Sequence, residues 1–139
     1  MEHKGFSFPK DIYIFFLIPI RIIFIRKKLG KAGFNKLLLK FGENNFTETA
    51  DDVFIIKLKK IHKASTFFLQ KIFRDSNPCI TRTILLYELC CRSNFKANII
   101  TGFYKENNII RGHSWLEVNR KPLCEDQNQL NKFTIISKV

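Results

Sequence analysis

The chain has no C-x-x-C pair, no histidine at zinc-finger spacing, no glycine-rich phosphate loop and no small-residue cleavage site after its apolar stretch. Each absence excludes a class. Without paired thiols, the four cysteines Cys79, Cys90, Cys91 and Cys124 do not spell a structural zinc site. Without the phosphate loop, nucleotide binding is not expected, and no cofactor is called for. Without a secretory signal, the chain reads as cytoplasmic and its thiols as reduced. Acid is also scarce: 12 acidic residues face 24 basic ones, a formal net charge of +12. That balance implies an acidic partner, which means nucleic acid, an anionic membrane surface or an acidic polypeptide. The charge is spread out, and its densest run is Arg26-Lys27-Lys28 with Lys31 just after. No basic tail interleaved with aromatics is present, which argues against nucleic acid. Internal repeats and low-complexity segments are absent too.

What is present is enough for one domain over residues 1–139, with almost half the residues apolar and 15 phenylalanines. Two parts differ in period. The first, residues 1–74, reads as helical. Its most hydrophobic stretch runs from Ile12 to Ile25, interrupted by Pro19 and Arg21. A spanning helix needs about 20 predominantly apolar residues, and this stretch is shorter. The length argument favours a helix buried on the domain. The alternative is an interfacial helix, a peripheral membrane contact through residues 12–28 held by lipid and the basic cluster. Gly30 and Gly33 punctuate its end. Phe34, Leu37, Leu38 and Phe41 recur at helical spacing, with Gly42 as a stop. Thr49 is placed to cap a third helix that carries Asp51 and Asp52 in its first turn and runs to about Phe73. Its apolar stripe is Phe54, Leu58, Ile61, Ser65 and Phe68.

In the second part, residues 75–139, Pro78 opens a helix that extends to Arg92. The period then changes to alternation. Ala97 to Tyr104 reads as a strand, Asn107-Asn108 as a hairpin turn, and Ile109 to Val118 as further strand. Asn119-Arg120 makes a second turn, Lys121 to Cys124 a returning strand, and Phe133 to Ser137 a last one. Helices followed by a helix leading into an antiparallel sheet make an α+β fold.

A nucleophilic thiol needs a stabilised thiolate, a base within reach and a third group to orient that base. Cys79 follows Pro78 at a helix start, where free N–H groups and the dipole favour an anion and lower a thiol pKa. The same donors suit a developing oxyanion. Cys90 and Cys91 lie mid-helix and read as core, and Cys124 as a strand residue. His3 and His62 lack a partner pattern and read as surface residues. On a strand, His113, Trp115 and Glu117 share one face, and Ser114, Leu116 and Val118 the other. Beyond the turn at Asn119-Arg120 the chain returns, bringing Glu125 beside the imidazole, with Asp126 and Glu117 as competing carboxylates.

Asn77-Pro-Cys-Ile-Thr-Arg82, Phe95-Lys-Ala-Asn-Ile-Ile-Thr-Gly-Phe103 and Gly112-His-Ser-Trp-Leu-Glu-Val118 together resemble the peptidase half of the lasso-peptide maturation B proteins. That family lies in the transglutaminase-like branch of the papain-type cysteine peptidases. The likeness runs from Asn77 to the end. It implies a papain/transglutaminase-like core in which the Cys helix packs on an antiparallel sheet. It assigns Cys79 as nucleophile, His113 as base and Glu125 as acid, at a place where the family usually has Asp. Ser114 stands where the family has Ala. By the same likeness, Arg82 and Trp115 support the thiolate or the substrate. The leader-binding domain that several B proteins carry is not recognisable in the helical, apolar first seventy-odd residues. The resemblance therefore implies a split system, with a precursor peptide, a separate leader-recognition protein and an ATP-using lasso cyclase as partners. Two rivals remain at this level: a transglutaminase-like acyl transferase using the same site, and a non-catalytic basic adaptor at a membrane or acidic partner.

Overall fold

A computed structural model describes residues 11–41 and 46–139. His3 and the expected stop at Gly42 lie outside the described residues. The first helix, α1 (Ile12–Ala32), runs through Pro19 without interruption and ends at Gly33, whose φ of 76° is left-handed. Asp11 precedes it, and the Asp11 carboxylate meets Lys60 Nζ at 2.8 Å, tying the start of α1 to the next long helix. Ile14, Ile18, Ile22 and Ile25 form its buried stripe at helical spacing. After α2 (Phe34–Phe41) comes α3 (Asp52–Phe67), which continues as a π-helical turn over Phe68–Ile72.

The cap of α3 is Asp51, not Thr49. The Asp51 side chain accepts the Phe54 N–H at 2.7 Å, so the helix starts two residues later than the threonine implied. Asp and Thr are both good caps, and the choice between them falls to where the chain is anchored. That anchor is Asn119, whose Oδ1 accepts the Ala50 N–H at 3.0 Å and whose Nδ2 donates to the Ala50 carbonyl at 2.8 Å.

Pro78 takes the first position of α4 (Pro78–Arg92), where its missing N–H costs nothing. The chain then forms β1 (Ala97–Glu106), β2 (Ile109–Val118), the short β3 (Lys121–Pro122), a one-turn helix α5 (Gln127–Leu130) and β4 (Thr134–Lys138). All neighbours pair antiparallel, in the order β3-β2-β1-β4. The fold is α+β. Asn107 and Asn108 both have positive φ (49° and 63°), as do Asn119 and Arg120 (52° and 62°). Both two-residue turns therefore match the twist of the strands they join. Cys124 is a correction: β3 ends at Pro122, and Cys124 sits beyond it, exposed and left-handed at φ 59°.

One face of the sheet packs on α4, and a single core joins residues of α1, α2, α3, α4, β1 and β2, among them Ile22, Leu58, Ile84, Leu86, Ile99 and Leu116. The opposite face is covered over a smaller area, where Ile100, Trp115 and Leu130 cluster with Phe133 against them. Gly102 makes the second cluster possible. It pairs with His113, and a Cβ on it would stand 3.0 Å from the Thr134 carbonyl and 3.1 Å from Phe133 Cβ. A side chain here would require Phe133 and the Thr134 backbone to shift.

Candidate active site

The docking of α4 on β2 sets the distance between the nucleophile candidate and the base candidate. Thr83 Oγ1 donates to the Ser114 carbonyl at 3.0 Å, and both residues are buried. Cys79 lies one turn before Thr83, and His113 one residue before Ser114, so a single buried hydrogen bond aligns the helix start with the imidazole.

Cys79 is half-buried in the first turn of α4. Asn77 provides no side-chain cap, so the first N–H groups of the helix are not spent on its side chain and leave partial positive charge at the end that carries Cys79. The turn before the helix is braced instead by Asp75, which accepts the Asn77 N–H at 2.9 Å and the Thr81 hydroxyl at 3.2 Å. Burial pushes the Cys79 thiol up. The His113 side chain, a backbone group of Ser114 and the charges of His113 and Arg82 outweigh that, and the net shift is downward. The other thiols move the opposite way. Burial takes Cys90 up to about 12, and it also raises Cys91 and Cys124.

His113 Nε2 stands 3.0 Å from Glu125 Oε1. With Nε2 on the carboxylate, Nδ1 is the nitrogen left for the thiol. Interaction with Cys79 and then with Glu125 raises the imidazole to about 9, against the opposing effect of burial. The ring packs against two aromatics that also touch each other: Trp115 stacks on it at 5.8 Å with 23° between planes, and Phe133 lies at 5.6 Å. Trp115 is only 5% exposed, so it offers the site a shelf for His113 and no open face of its own.

Glu125 reaches the imidazole from three residues past β3. Burial would raise its carboxyl, but the hydrogen bond with His113 and the charges of His113, Arg82 and His62 bring it below its ordinary value. The competing carboxylates are occupied elsewhere. Asp126 caps α5 by accepting the Asn128 N–H at 3.0 Å. Glu117 accepts from Lys138 Nζ at 2.7 Å and Asn98 Nδ2 at 3.3 Å, on the side of β1 and β4.

Arg82 joins this carboxylate to α3. Its Nη2 is 3.7 Å from Glu125 Oε1, and its Nη1 donates to Thr66 Oγ1 at 2.9 Å. The Thr66 hydroxyl in turn donates to the His62 carbonyl at 2.8 Å. Arg82 thus braces the acid while adding positive charge near the thiol.

His62 is not a surface residue, contrary to the reading of the sequence. It is half-buried and lies within electrostatic reach of Arg82, Glu125 and His113. Burial first, and Arg82 second, lower its pKa to about 4, so it is a neutral imidazole near pH 7. Neither His62 nor Thr66 belongs to a motif. The available signal was their position at Leu58+4 and Ser65+1, on the side of α3 that turns inward.

Cys79, His113, Glu125 and Arg82 therefore come together, with His62 and Thr66 completing the wall behind them. Such an array can hold a thiolate–imidazolium pair, deliver a sulfur nucleophile to a carbonyl carbon, and return a proton to a leaving group. No curated protein and no solved structure matches the chain significantly. Residues 59–138 match the family described as the transglutaminase-like superfamily. The match takes in every residue of this array, from the middle of α3 to the last strand, and more than half of the sequence: the chain belongs to the transglutaminase-like superfamily.

Proposed function

We propose that this protein is a cysteine peptidase that removes the leader from a ribosomally made lasso-peptide precursor. The observation that carries the chemistry is the alignment of Cys79 at a helix start with an imidazole whose far nitrogen is held by Glu125 at 3.0 Å. Support for the finer reading is the motif likeness around Cys79, His113 and Trp115. Cys79 Sγ attacks the scissile carbonyl. The backbone N–H at the start of α4 faces the oxygen as it gains charge. The imidazolium of His113 gives its proton to the departing amine, which leaves an acyl enzyme. His113 then takes a proton from water, and the hydroxide releases the acyl group as a free carboxylate. Glu125 holds one tautomer throughout and stabilises the imidazolium. In this scheme a separate leader-recognition protein presents the precursor, and the freed core peptide goes to the cyclase.

The test is incubation with precursor and the products of adjacent small reading frames, followed by mass analysis. A leader ending in a free carboxylate is the expected product. A new amide in its place would make the chain an acyl transferase, and intact precursor would overturn both readings.

The electrostatics set a pH profile. The Cys79 thiol is lowered and His113 is raised to about 9. The ion pair therefore forms as pH rises through the thiol's pKa and is lost as pH passes that of the imidazolium. The expected kcat/KM profile is a bell whose alkaline limb falls near 9. A limb near the ordinary histidine value would mean that Glu125 and Cys79 do not hold the proton on His113.

Glu125→Gln keeps the size of the acid and removes its charge. Turnover is expected to fall, and the alkaline limb to move to lower pH, because Glu125 is among the causes that raise His113. Stability is expected to fall as well, because Glu125 pairs with Arg82, whose side chain is only 11% exposed. Leaving that guanidinium without its carboxylate costs about 1–3 kcal/mol, readable in denaturant melts. Asp126→Asn should affect only the start of α5, where asparagine also caps, and leave the rate nearly unchanged. A larger rate loss in Asp126→Asn than in Glu125→Gln would show the acid to be misassigned.

A further inference from the structure

α1 has two apolar faces and only one of them is covered. Ile14, Ile18, Ile22 and Ile25 pack on the domain. On the opposite side, Tyr13, Phe16, Leu17, Ile20, Ile23 and Phe24 are exposed, Phe16 to 69%, Phe24 to 58% and Leu17 to 54%. These side chains recur at three- and four-residue steps, so they form one continuous stripe of a little over three turns. Contiguous apolar surface of this kind on a folded protein marks something that covers it.

The chemistry of the stripe indicates the occupant. From Phe16 to Phe24 it offers hydrocarbon only. The backbone donors are spent within the helix, and none of the side chains named there carries a polar atom. A protein interface ordinarily makes about one hydrogen bond per 100–200 Å², so this surface is poor in what a protein partner needs and suited to acyl chains. Continuing down the same line, the stripe meets Lys27 and Lys31, both exposed. The whole of α1 contains no Asp or Glu, and Lys36 and Lys40 on α2 add to the charge. A second copy docked through the same helix would bring the same cations and no α1 carboxylate to meet them, against a net charge of +12 on each chain. The described helices include none long and apolar enough to cross a membrane. A stripe of about 18 Å, at 1.5 Å per residue, also falls short of a hydrocarbon core.

We propose that the outer face of α1 lies in the plane of an anionic lipid surface, with Phe16, Ile20 and Phe24 among the acyl chains and Lys27 and Lys31 at the headgroups. The body of the domain takes the place that the polar face has in a free amphipathic helix. This attachment is independent of the chemistry assigned to Cys79.

Flotation of the intact protein with vesicles of phosphatidylcholine containing 30% phosphatidylglycerol tests it, in ~0.1 M salt, where the Debye length is about 10 Å. The protein is expected to float with these vesicles, to float weakly with pure phosphatidylcholine, and to be released progressively as salt is raised. Phe16→Ser/Phe24→Ser should lower the partition coefficient about a hundredfold, as two phenylalanines lose their burial. Lys27→Gln/Lys31→Gln should lower it about twentyfold on the anionic vesicles alone. All four positions face solvent, and circular dichroism should show the parent fold. The lysine pair gives a second reading that leaves the apolar surface intact. No flotation with anionic vesicles, equal flotation with both lipids, or no effect of either variant overturns the proposal. So does sedimentation in the absence of lipid as a dimer that Phe16→Ser/Phe24→Ser dissolves, since the face would then belong to a second copy.

Discussion

Cys79→Ala is expected to abolish precursor cleavage while the protein melts close to the parent. The sulfur forms the bond to the acyl group, and no neighbouring side chain can replace it: removing the nucleophile of a triad hydrolase costs on the order of a millionfold in turnover. The fold should tolerate the change, because Cys79 is half-buried at the start of α4 and lies outside the apolar core to which Cys90 and Cys91 contribute. The same reasoning predicts thiol labelling. Near neutral pH, iodoacetamide should modify Cys79 first, since its thiol is the one shifted downward, whereas Cys90, Cys91 and Cys124 are shifted upward. Peptide mapping after brief labelling reads this directly. Parent-rate processing by Cys79→Ala, or uniform slow labelling of all four thiols, would remove Cys79 from the chemistry and leave the basic-adaptor reading in its place.

His113→Ala should lose about 10²–10⁴-fold in rate, the range ordinarily contributed by a general base. Here two effects add. The proton acceptor is gone, and so is the strongest of the influences that lower the Cys79 thiol. Labelling of Cys79 should therefore slow in the same variant, which separates loss of the base from a change in substrate binding. The structural consequence is a void beside Trp115 and Phe133, which both contact the ring as well as each other, and some loss of stability is expected at the smaller of the two apolar clusters. Retention of the rate within about tenfold, against that same expectation, would reduce His113 to a packing residue of the sheet.

Much of the architecture is legible from local signals. Pro78 favours a helix start, and Asn107-Asn108 is compatible with a tight hairpin because asparagine tolerates positive φ. The switch from helical to alternating period after Asn94 separates helices from sheet. These features depend on backbone sterics and side-chain spacing, which act within a few residues. The misplaced cap has its origin in a contact made at long range. Asp51 displaced Thr49 as cap of α3 because Asn119, distant in sequence, holds Ala50. The one-turn α5 was not foreseen, since four residues carry no period.

The candidate site divides in the same way. The sequence by itself determined that a cysteine opens a helix, that a histidine sits on a strand beside a tryptophan, and that carboxylates follow a hairpin, because proline, period and turn residues act locally. Only the tertiary structure decided which carboxylate turns to the imidazole. Cys124 adopts a left-handed conformation, so the chain bends after β3, and Glu125 points inward while Asp126 is spent on capping α5. It also decided that Arg82 braces Glu125 through Thr66, and that His62 lies near all of them. Those contacts join three separate elements, and no spacing along one chain segment encodes the distance between two faces that meet only when α3, α4 and β2 pack together.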